Sequence, residues 1–510
     1  MIRIGHAIDR LREMPDHAVH CAVTSPPYYG LRDYGLEPVI WEPVRYAPMA
    51  GMPEMSVPAH ADSLQGASPL QGASPEAYRE CDHDWDAWTE SHDVREQPVA
   101  GKTRTTDRTY GGDESRRFDG NHQKHTHGQF CRKCGAWRGC LGLEPDPALY
   151  IGHLVQVFRA LRRVLRPDGT LWLNLGDSYA SGNRGTRDSD KKLTARGMDA
   201  RPRDPSGIKP KDLMGIPWRA ALALQADGWW LRSDIVWMKG NAMPESVTDR
   251  PTRSHEMVFL LTPSARYFYD HLAIREPHAA ESVARIGRGR AAKHKWSDGP
   301  GGQTIATDLS HALHSAGRNK RDVWTISTKP YKGAHFAVMP PDLVEPCIRA
   351  GTSEAGVCPH CGKPWVREVV RECCAPGEVP DSYCGSTFHK GKSRDARKHL
   401  SEVGDGARTA GLRTVGWRAG CGCPSHDPVP ATVLDPFGGS GTVAMVAKAL
   451  GRNWEIIEAN PDYVPLAEAR LHQPAKPQRG AKQRRGAKSG DVRLRELEPD
   501  HSQQTQLEIF

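Results

Sequence analysis

Apolar residues recur along the chain in short strand-like runs that alternate with segments of helical spacing. Cys21-Ala22-Val23 is a continuous apolar run, and Val433-Leu434 is another that ends at Asp435. Between such runs, apolar residues recur three or four positions apart, as they do from Leu154 to Leu165. Buried runs separated by amphipathic segments are typical of an open α/β sheet covered by helices. The pattern therefore predicts an α/β fold.

The predicted elements fall in both halves of the chain. Helices are predicted over residues 7–14, 150–165, 217–224, 341–350, 443–450 and 461–471. Strands are predicted at residues 2–4, 21–23, 170–175, 231–237, 255–261, 433–435 and 454–458. A turn is predicted at Arg166-Pro167-Asp168-Gly169, so that residues 150–175 form half of a doubly wound unit.

Three polar stretches and a tail interrupt this pattern. Ser, Gly, Pro, Asp and His dominate residues 42–128, a composition typical of a partly disordered insertion. Residues 180–212 predict a mobile loop, and residues 276–322 predict a solvated basic loop. The tail from His472 is rich in Lys, Arg and Gln, and we expect it to be disordered.

Composition sets broad limits on this chain. Its 510 residues suffice for two or three domains, and an apolar fraction of 38% is low for a fully folded chain. No apolar run approaches the roughly 20 residues that span a bilayer, and no signal peptide opens the chain, so we expect a cytoplasmic protein. A net charge of +8 permits a polyanionic partner without requiring one.

Thirteen cysteines in a chain without an export signal favour metal binding over a disulfide framework. The first predicted ligand set consists of Cys81, His83, Cys131 and Cys134, and the second consists of Cys358, Cys361, Cys421 and Cys423. Each set contains one cysteine pair with the two-residue spacing of a zinc knuckle. Both sets predict structural zinc, although other residues could replace a member, namely His122, His125, His127, Cys373, Cys374 and Cys384. Loose thiols are the alternative.

A glycine-rich turn follows the strand at Val433. It consists of Asp435, Pro436, Phe437, Gly438, Gly439, Ser440, Gly441 and Thr442. Glycines let the backbone pass close to a bound molecule, and the helix start behind them offers unpaired N–H groups. Glu458 ends the next predicted strand about 20 residues further on, the spacing at which this architecture reaches a ribose. The turn predicts a nucleotide-like pocket.

A rigid loop, Thr24-Ser25-Pro26-Pro27-Tyr28, follows the strand at residues 21–23. Two consecutive prolines cannot continue a strand ladder and hold an extended conformation. Open α/β sheets bind their ligands at the carboxyl ends of strands, where this loop lies. The alternative is a proline turn with a packed tyrosine.

The two motifs together resemble the amino-group DNA methyltransferases, which make N4-methylcytosine or N6-methyladenine. The proline motif precedes the glycine motif, an order similar to that of the permuted beta group. The resemblance extends to residues 164–169, to Asp234–Trp237 with Lys239, and to residues 341–350. It implies a Rossmann-like, S-adenosylmethionine-dependent methyltransferase sheet in permuted order, which the two predicted zinc-binding insertions would interrupt.

The resemblance also implies a role for each motif. The catalytic residues would be Ser25, Pro26, Pro27 and Tyr28, and the cofactor-binding residues would be 435–442 and Glu458. An oxygen of Ser25 and a proline carbonyl would accept hydrogen bonds from the target amino group, and Tyr28 would stack on a base flipped from double-stranded DNA. Glu458 would bind the ribose hydroxyls of S-adenosylmethionine.

Alternatives differ in substrate or in activity. A carbon-5 cytosine methyltransferase needs a Pro-Cys nucleophile, but Pro346-Cys347 lies in an apolar helix and is interpreted as core. RNA or protein amide methyltransferases usually carry Asn where this chain has Ser25. That serine favours N4 of cytosine over N6 of adenine. A zinc-containing DNA-binding protein with an inactive methylase fold is the alternative of another class.

These predictions divide the chain into eight segments. The catalytic domain would comprise residues 1–41, 146–275, 331–355 and 428–472, the last of which binds the cofactor. The other segments would be a polar insertion with a zinc knuckle (42–145), a candidate target-recognition region (276–330), a second zinc-binding insertion (356–427) and a basic disordered tail (473–510).

Overall fold

An eight-stranded mixed sheet forms the centre of the computed structural model. The structure describes residues 1–30, 34, 36–58, 81–86, 128–180, 208–209, 211–287, 317–328, 338–372, 411–424 and 426–472. The strands are β1 (Ile2–Ile4), β2 (Val19–Thr24), β3 (Val39–Trp41), β4 (Val44–Tyr46), β5 (Met55–Val57), β6 (Gln129–Phe130), β7 (Trp137–Gly139), β8 (Leu165–Leu175), β9 (Trp230–Met238), β10 (His255–Thr262), β11 (Val323–Thr325), β12 (Val366–Glu372), β13 (Gly411–Arg418), β14 (Thr432–Asp435) and β15 (Asn453–Glu458).

The helices cover both faces of this sheet. They are α1 (Ala7–Arg12), α2 (Pro147–Val164), α3 (Ile216–Ala226), α4 (Ala280–Gly287), α5 (Pro341–Gly351), α6 (Thr442–Ala449) and α7 (Val464–His472), with short 3-10 helices at His271–Ile274 and Pro461–Tyr463. The predicted helices and strands are all present, and apart from β8 their ends agree within a few residues. None of the helices in the described part of the chain has the length and apolarity of a membrane-spanning segment.

The strand order is β1-β15-β14-β2-β8-β10-β9-β11. The first five strands in this order run parallel, β10 is antiparallel to both β8 and β9, and β11 is parallel to β9. This arrangement confirms the predicted α/β class with a sheet that is mostly parallel. It also places β2, from the start of the chain, directly beside β14, from near its end.

Alternate residues of the central strands pack into two separate cores. Leu171, Leu173 and Leu175 of β8 face the core that α1, α2 and α3 cover. Trp172, between them, faces the core that α5 and α6 cover. Side chains in a strand point to opposite faces in turn, and both faces are buried here, so the part of β8 from Leu171 to Leu175 is a nearly continuous apolar run.

The predicted turn at residues 166–169 is wrong, because β8 begins at Leu165 and continues through it. The pairing of β8 with β2 jumps from Leu165 opposite Val19 to Thr170 opposite Cys21, so the extra residues form a bulge. Within the bulge, Arg166 Nε donates a hydrogen bond to Asp168 Oδ1 over 2.8 Å. A Pro-Asp-Gly sequence therefore interrupts the strand's register here without ending the strand.

Part of the segment predicted as a polar insertion is folded onto the main domain. Strands β4 and β5 pair as a hairpin, and they pack against α2 so closely that a Cβ on Gly152 would lie 2.6 Å from Val44 and Val57. Within the predicted basic loop 276–322, residues 280–287 form α4, and β11 follows at Val323. Most of residues 42–128 and 180–212, and the tail from residue 473, lie outside the described residues.

The core beneath α2 should carry much of the stability of the domain. We expect Phe158→Ala, at a fully buried position, to lower the free energy of unfolding by about 3–5 kcal/mol, because it leaves a cavity between α2 and the sheet. Urea denaturation followed by tryptophan fluorescence measures this. Val283→Ala, at a helical position that is 47% exposed, is the control and should stay within about 0.5 kcal/mol of the wild type.

Candidate active site

The two sequence motifs meet at the carboxyl edge of the sheet. Strands β2 and β14 are parallel neighbours, with Ala22 opposite Leu434. At their ends, the Thr24 hydroxyl donates a buried hydrogen bond of 2.7 Å to Oδ1 of Asp435. The proline loop that begins at Ser25 and the glycine turn therefore leave the sheet side by side. Residues more than 400 positions apart in sequence form one site.

Asp435 organises the start of the glycine turn. Its side chain is buried, and besides the Thr24 hydroxyl it accepts a hydrogen bond of 3.0 Å from the backbone N–H of Phe437. Burial raises the pKa of this carboxyl to about 8, and the nearby Glu458 carboxylate adds to the rise against these two donors. Asp435 therefore links the glycine turn to β2, because it accepts hydrogen bonds from a residue of each.

Glu458, at the end of β15, binds the backbone of the same turn. Its Oε2 accepts a hydrogen bond of 2.6 Å from the N–H of Gly439, and its Oε1 accepts one of 2.7 Å from the N–H of Asn460. Burial raises the pKa of Glu458, although these N–H donors oppose the rise. A carboxylate has about four acceptor positions, so these bonds do not use all of them.

Two glycines of the turn are required by packing within the protein. A Cβ on Gly438 would lie 2.8 Å from Ile456, and one on Gly441 would lie 2.9 Å from Ala467. Gly441 also has a φ of +74°, in the left-handed region that favours glycine. Gly438 lets the turn pack against β15, and Gly441 lets α7 pack against the start of α6. Both reasons for glycine add to the predicted approach of a ligand.

The hydroxyl residues of the turn are bound from the side of α7. Nη1 of Arg470, which is buried, donates hydrogen bonds of 2.7 Å to the hydroxyl oxygens of both Ser440 and Thr442. Both hydroxyls therefore help to fix the start of α6. Among residues 435–442, the backbone of the turn is the better candidate for ligand contact.

The hydroxyl of Tyr28 lies in a polar cluster at the other side of the site. It donates a hydrogen bond of 2.7 Å to Oε2 of Glu256, and it accepts bonds from Asn174 Nδ2 (2.7 Å) and Ser25 Oγ (3.2 Å). Lys239 forms an ion pair with the other oxygen of Glu256. Burial, and then the Glu256 charge, raise the pKa of Tyr28 well above its usual value, so the hydroxyl stays protonated.

The proline loop is held from below by α2 and the segment before it. The Tyr150 hydroxyl donates a hydrogen bond of 2.7 Å to the carbonyl of Pro27, and the N–H of Gly30 donates one of 2.8 Å to the carbonyl of Gly142. The Pro27 carbonyl is therefore engaged already. The carbonyl of Pro26 has no hydrogen-bond donor among the described residues, which makes it the better acceptor for a substrate group.

The motifs alone did not reveal several residues of this site. Asn174, Glu256 and Tyr150 come from β8, β10 and α2, and none of them stands within a recognisable motif. Asn174 gave a weak signal, because it is the only polar residue in the apolar run from Leu171 to Leu175. Their contribution depends on which strands are neighbours.

The structure brings together the ligand atoms of both predicted metal sets. In each set the four atoms lie within 4.8 Å of one another. The sets are Cys81, His83, Cys131 and Cys134, and Cys358, Cys361, Cys421 and Cys423. All these cysteines are free thiols. In a tetrahedral site with zinc–sulfur bonds of about 2.3 Å the sulfurs lie about 3.8 Å apart, so both sets are compact enough for such an ion.

Comparison with known proteins identifies the family. The family model for DNA methylases of the N6/N4 type matches residues 19–363 and 428–469. The chain belongs to this family. The methylase is 33% identical over 467 residues to the Type II methyltransferase M.XycI of Xanthomonas campestris pv. cyanopsidis, an alignment that covers 92% of the chain and 86% of the relative. It is 39% identical to M.Cfr9I of Citrobacter freundii over 65% of the chain and 74% of the relative.

Solved structures align with the methylase only weakly. The cytosine-N4-specific PvuII DNA methyltransferase is 11% identical, with a TM-score of 0.38 over 93% of this chain and 87% of that one. A DNA modification methylase from Thermus thermophilus, solved with S-adenosylmethionine, is 13% identical, with a TM-score of 0.34 over 92% of each chain. The family assignment therefore rests on the sequence matches. Enzymes of this family transfer methyl groups from S-adenosylmethionine to amino groups of DNA.

The raised pKa of Asp435 predicts a pH-dependent stability. Its folded-state pKa of about 8 lies above the unfolded value of about 3.9, so ionisation disfavours the folded state progressively as pH rises from 4 to 8. Asp435→Asn removes this ionisation. In urea denaturation without cofactor, the stability of the variant relative to the wild type should therefore rise between pH 5 and pH 8. If the difference in free energy of unfolding between the variant and the wild type stays constant over this range, the prediction is contradicted.

Proposed function

We propose that this methylase transfers the methyl group of S-adenosylmethionine to N4 of a cytosine flipped out of double-stranded DNA. The observation that carries the proposal is the hydrogen bond between Thr24 and Asp435, because it sets the glycine turn and the proline loop side by side. A methyl donor on one and an amino group on the other would be close enough to react.

The cofactor would bind at the glycine turn. The remaining acceptor positions of Glu458 suit the two ribose hydroxyls, and the backbone around Gly439 suits a close approach of the ligand. When bound, S-adenosylmethionine supplies a sulfonium-activated methyl group. The residues of the chain orient it and hold the acceptor nitrogen in line with it.

The amino group would be activated by acceptors on the proline loop. An exocyclic amino nitrogen is a poor nucleophile, because its lone pair is conjugated into the ring. Hydrogen bonds from this group to Ser25 Oγ and to the Pro26 carbonyl would pull the nitrogen towards a tetrahedral form. The bond from Tyr150 to the Pro27 carbonyl supports Pro26 as the acceptor and fixes the loop. The ring of Tyr28 would stack on the base.

The position of the motifs supports a permuted order. Strand β14, which carries the glycine turn, is among the last elements of the chain, whereas β2, which carries the proline loop, is the second strand. The two are nevertheless neighbours at the centre of the sheet. We infer that the cofactor-binding half of the domain follows the catalytic half in sequence.

The base and the site can be tested in one experiment. The enzyme is incubated with S-adenosylmethionine and duplex DNA, and the DNA is digested to nucleosides for mass spectrometry. N4-methylcytosine is the expected product, and Ser25→Ala should slow its formation about 100-fold, because one acceptor of the amino group is lost. N6-methyladenine would overturn the choice of base, and no modified base would overturn the proposed function.

Ser264→Ala is the matched control. Ser264 lies just beyond the carboxyl end of β10, at the other end of the strand from Glu256, and its hydroxyl donates to the backbone carbonyls of Pro167 and Arg266. We expect this variant to keep the wild-type rate. A Ser25→Ala enzyme as fast as this control would refute the site assignment.

We also propose that each cysteine set holds a structural zinc ion. The first set supports the catalytic loop, because the chain runs from Cys134 through β7 to Gly142, which binds Gly30. In this segment the Trp137 ring stacks on buried His153, with ring centres 5.2 Å apart.

The second set lies near the amino ends of β2 and β8, opposite the carboxyl ends of the strands that carry the two motifs. Arg166 Nη1 donates a hydrogen bond of 2.8 Å to the carbonyl of Cys361, and the His20 ring lies 3.1 Å from the Gly362 carbonyl. His20 is at the start of β2, whereas the proline loop follows its end. Zinc at this set would therefore stabilise the β12–β13 hairpin without reaching the catalytic loop.

Removing a ligand from one cysteine set should affect the enzyme differently from removing a ligand from the other. We expect about two zinc ions per chain in the wild type, and about one in either Cys131→Ser or Cys361→Ser. Cys131→Ser should also lower the rate of methyl transfer, whereas Cys361→Ser should chiefly lower the melting temperature. Metal analysis, kinetics and thermal melting measure these effects. Cys140→Ser, outside both sets, is the control and should retain both ions. Wild-type protein that contains no bound zinc after purification would contradict the proposal.

A further inference from the structure

A continuous chain of hydrogen bonds leads from the proline loop to a partly buried carboxylate. Ser25 Oγ donates to the Tyr28 hydroxyl over 3.2 Å, and the Tyr28 hydroxyl donates to Oε2 of Glu256 over 2.7 Å. The hydroxyls of Ser25 and Tyr28 can each accept a proton on the oxygen while giving up their own proton. The chain begins at the atom that would bind the target amino group.

Two further residues fix the geometry of this chain. Asn174 Nδ2 donates to the Tyr28 hydroxyl over 2.7 Å and to Oε2 of Glu256 over 3.0 Å. Asn174 is itself buried, and it therefore clamps the second step from the side of β8. Lys239 pairs with the other oxygen of Glu256, whose side chain is only 14% exposed. The ion pair holds the Glu256 carboxylate in place at the end of the chain.

Methyl transfer to an amino group creates a need for such an acceptor. The nitrogen lone pair forms the new N–C bond as the C–S bond breaks, and sulfur keeps the electrons of the broken bond. The nitrogen is then cationic and strongly acidic, because the aromatic ring withdraws electrons from it. A proline carbonyl can bind the N–H but is too weakly basic to keep its proton.

We propose that Ser25, Tyr28 and Glu256 form a proton relay that carries this proton from the methylated nitrogen to the Glu256 carboxylate. This inference rests on the proposed function. It assigns Glu256 as the final acceptor of the proton, which reaches the carboxylate through the two hydroxyls. One proton passes from nitrogen to Ser25 Oγ, the serine proton passes to Tyr28, and the tyrosine proton passes to Oε2. The base ends neutral, and Glu256 ends as a carboxylic acid that returns its proton to water before the next turnover.

The test separates the relay from the ring of Tyr28. Tyr28→Phe keeps a ring that can stack on the base but breaks the relay at its middle, and Glu256→Gln keeps the shape of the acceptor but cannot take up the proton. We expect each to lower the single-turnover rate of methyl transfer to duplex DNA about 100-fold, within the usual range for general base catalysis. The double variant should be no slower than either single one, because both break the same path.

The controls exclude a merely structural role. Melting temperature, affinity for S-adenosylmethionine and the fluorescence of 2-aminopurine at the target position should match the wild type in both single variants. Glu256→Asp should restore part of the rate, since it restores a carboxylate. Glu455→Gln, which removes a partly buried carboxylate paired with Arg3 at the sheet edge, should keep the wild-type rate.

The outcomes that overturn the relay differ from those that overturn the function. A Glu256→Gln enzyme with a rate within threefold of the wild-type rate would refute the relay. A double variant whose rate falls by the product of the two single reductions would also refute it. Loss of cofactor affinity or of stability in step with the rate would show a structural role and also refute it. If wild-type enzyme transferred no methyl group to DNA, the proposed function itself would fail.

Discussion

The buried hydrogen bond between Thr24 and Asp435 is the interaction on which the site depends. It joins the ends of two neighbouring parallel strands, and each strand continues into one of the two functional loops. A buried carboxyl without donors would be costly to the fold, so the bond from Thr24 and the one from the Phe437 N–H allow Asp435 to stand there. The same contact sets the distance between the half that would hold the methyl donor and the half that would hold the base.

Two acidic side chains with little exposure to solvent organise the remainder of the site in different ways. Glu458 is compensated by the backbone N–H groups of Gly439 and Asn460, so it shapes the turn and retains acceptor positions for a ligand. Glu256 is compensated by Lys239 and by the hydroxyl of Tyr28. One carboxylate is thus tied to rigid backbone, as binding requires. The other lies at the end of a chain of exchangeable protons, as the proposed chemistry requires.

The two cysteine sets are attached to different ends of the sheet. The first continues into the segment that carries Gly142 and contacts the proline loop, whereas the second is bound near the amino end of β2 by Arg166 and His20. His20 accepts a hydrogen bond from the Thr432 N–H at one ring nitrogen, so its other nitrogen carries the proton and donates to Gly362. Burial and Arg166 lower the pKa of His20 to about 4, which keeps this neutral form.

Features that depend on local constraints can be predicted directly from the residues. Consecutive prolines fix the loop after β2, glycines permit the turn after β14, and apolar periodicity predicts most helices and strands, because each acts over a few residues. Two features could not be predicted in this way: Asn174, Glu256 and Tyr150 surround Tyr28 and its loop, and β8 passes through a Pro-Asp-Gly bulge. The reason is that strand order and register decide which side chains meet across a sheet, and both are set by packing between segments far apart in the chain.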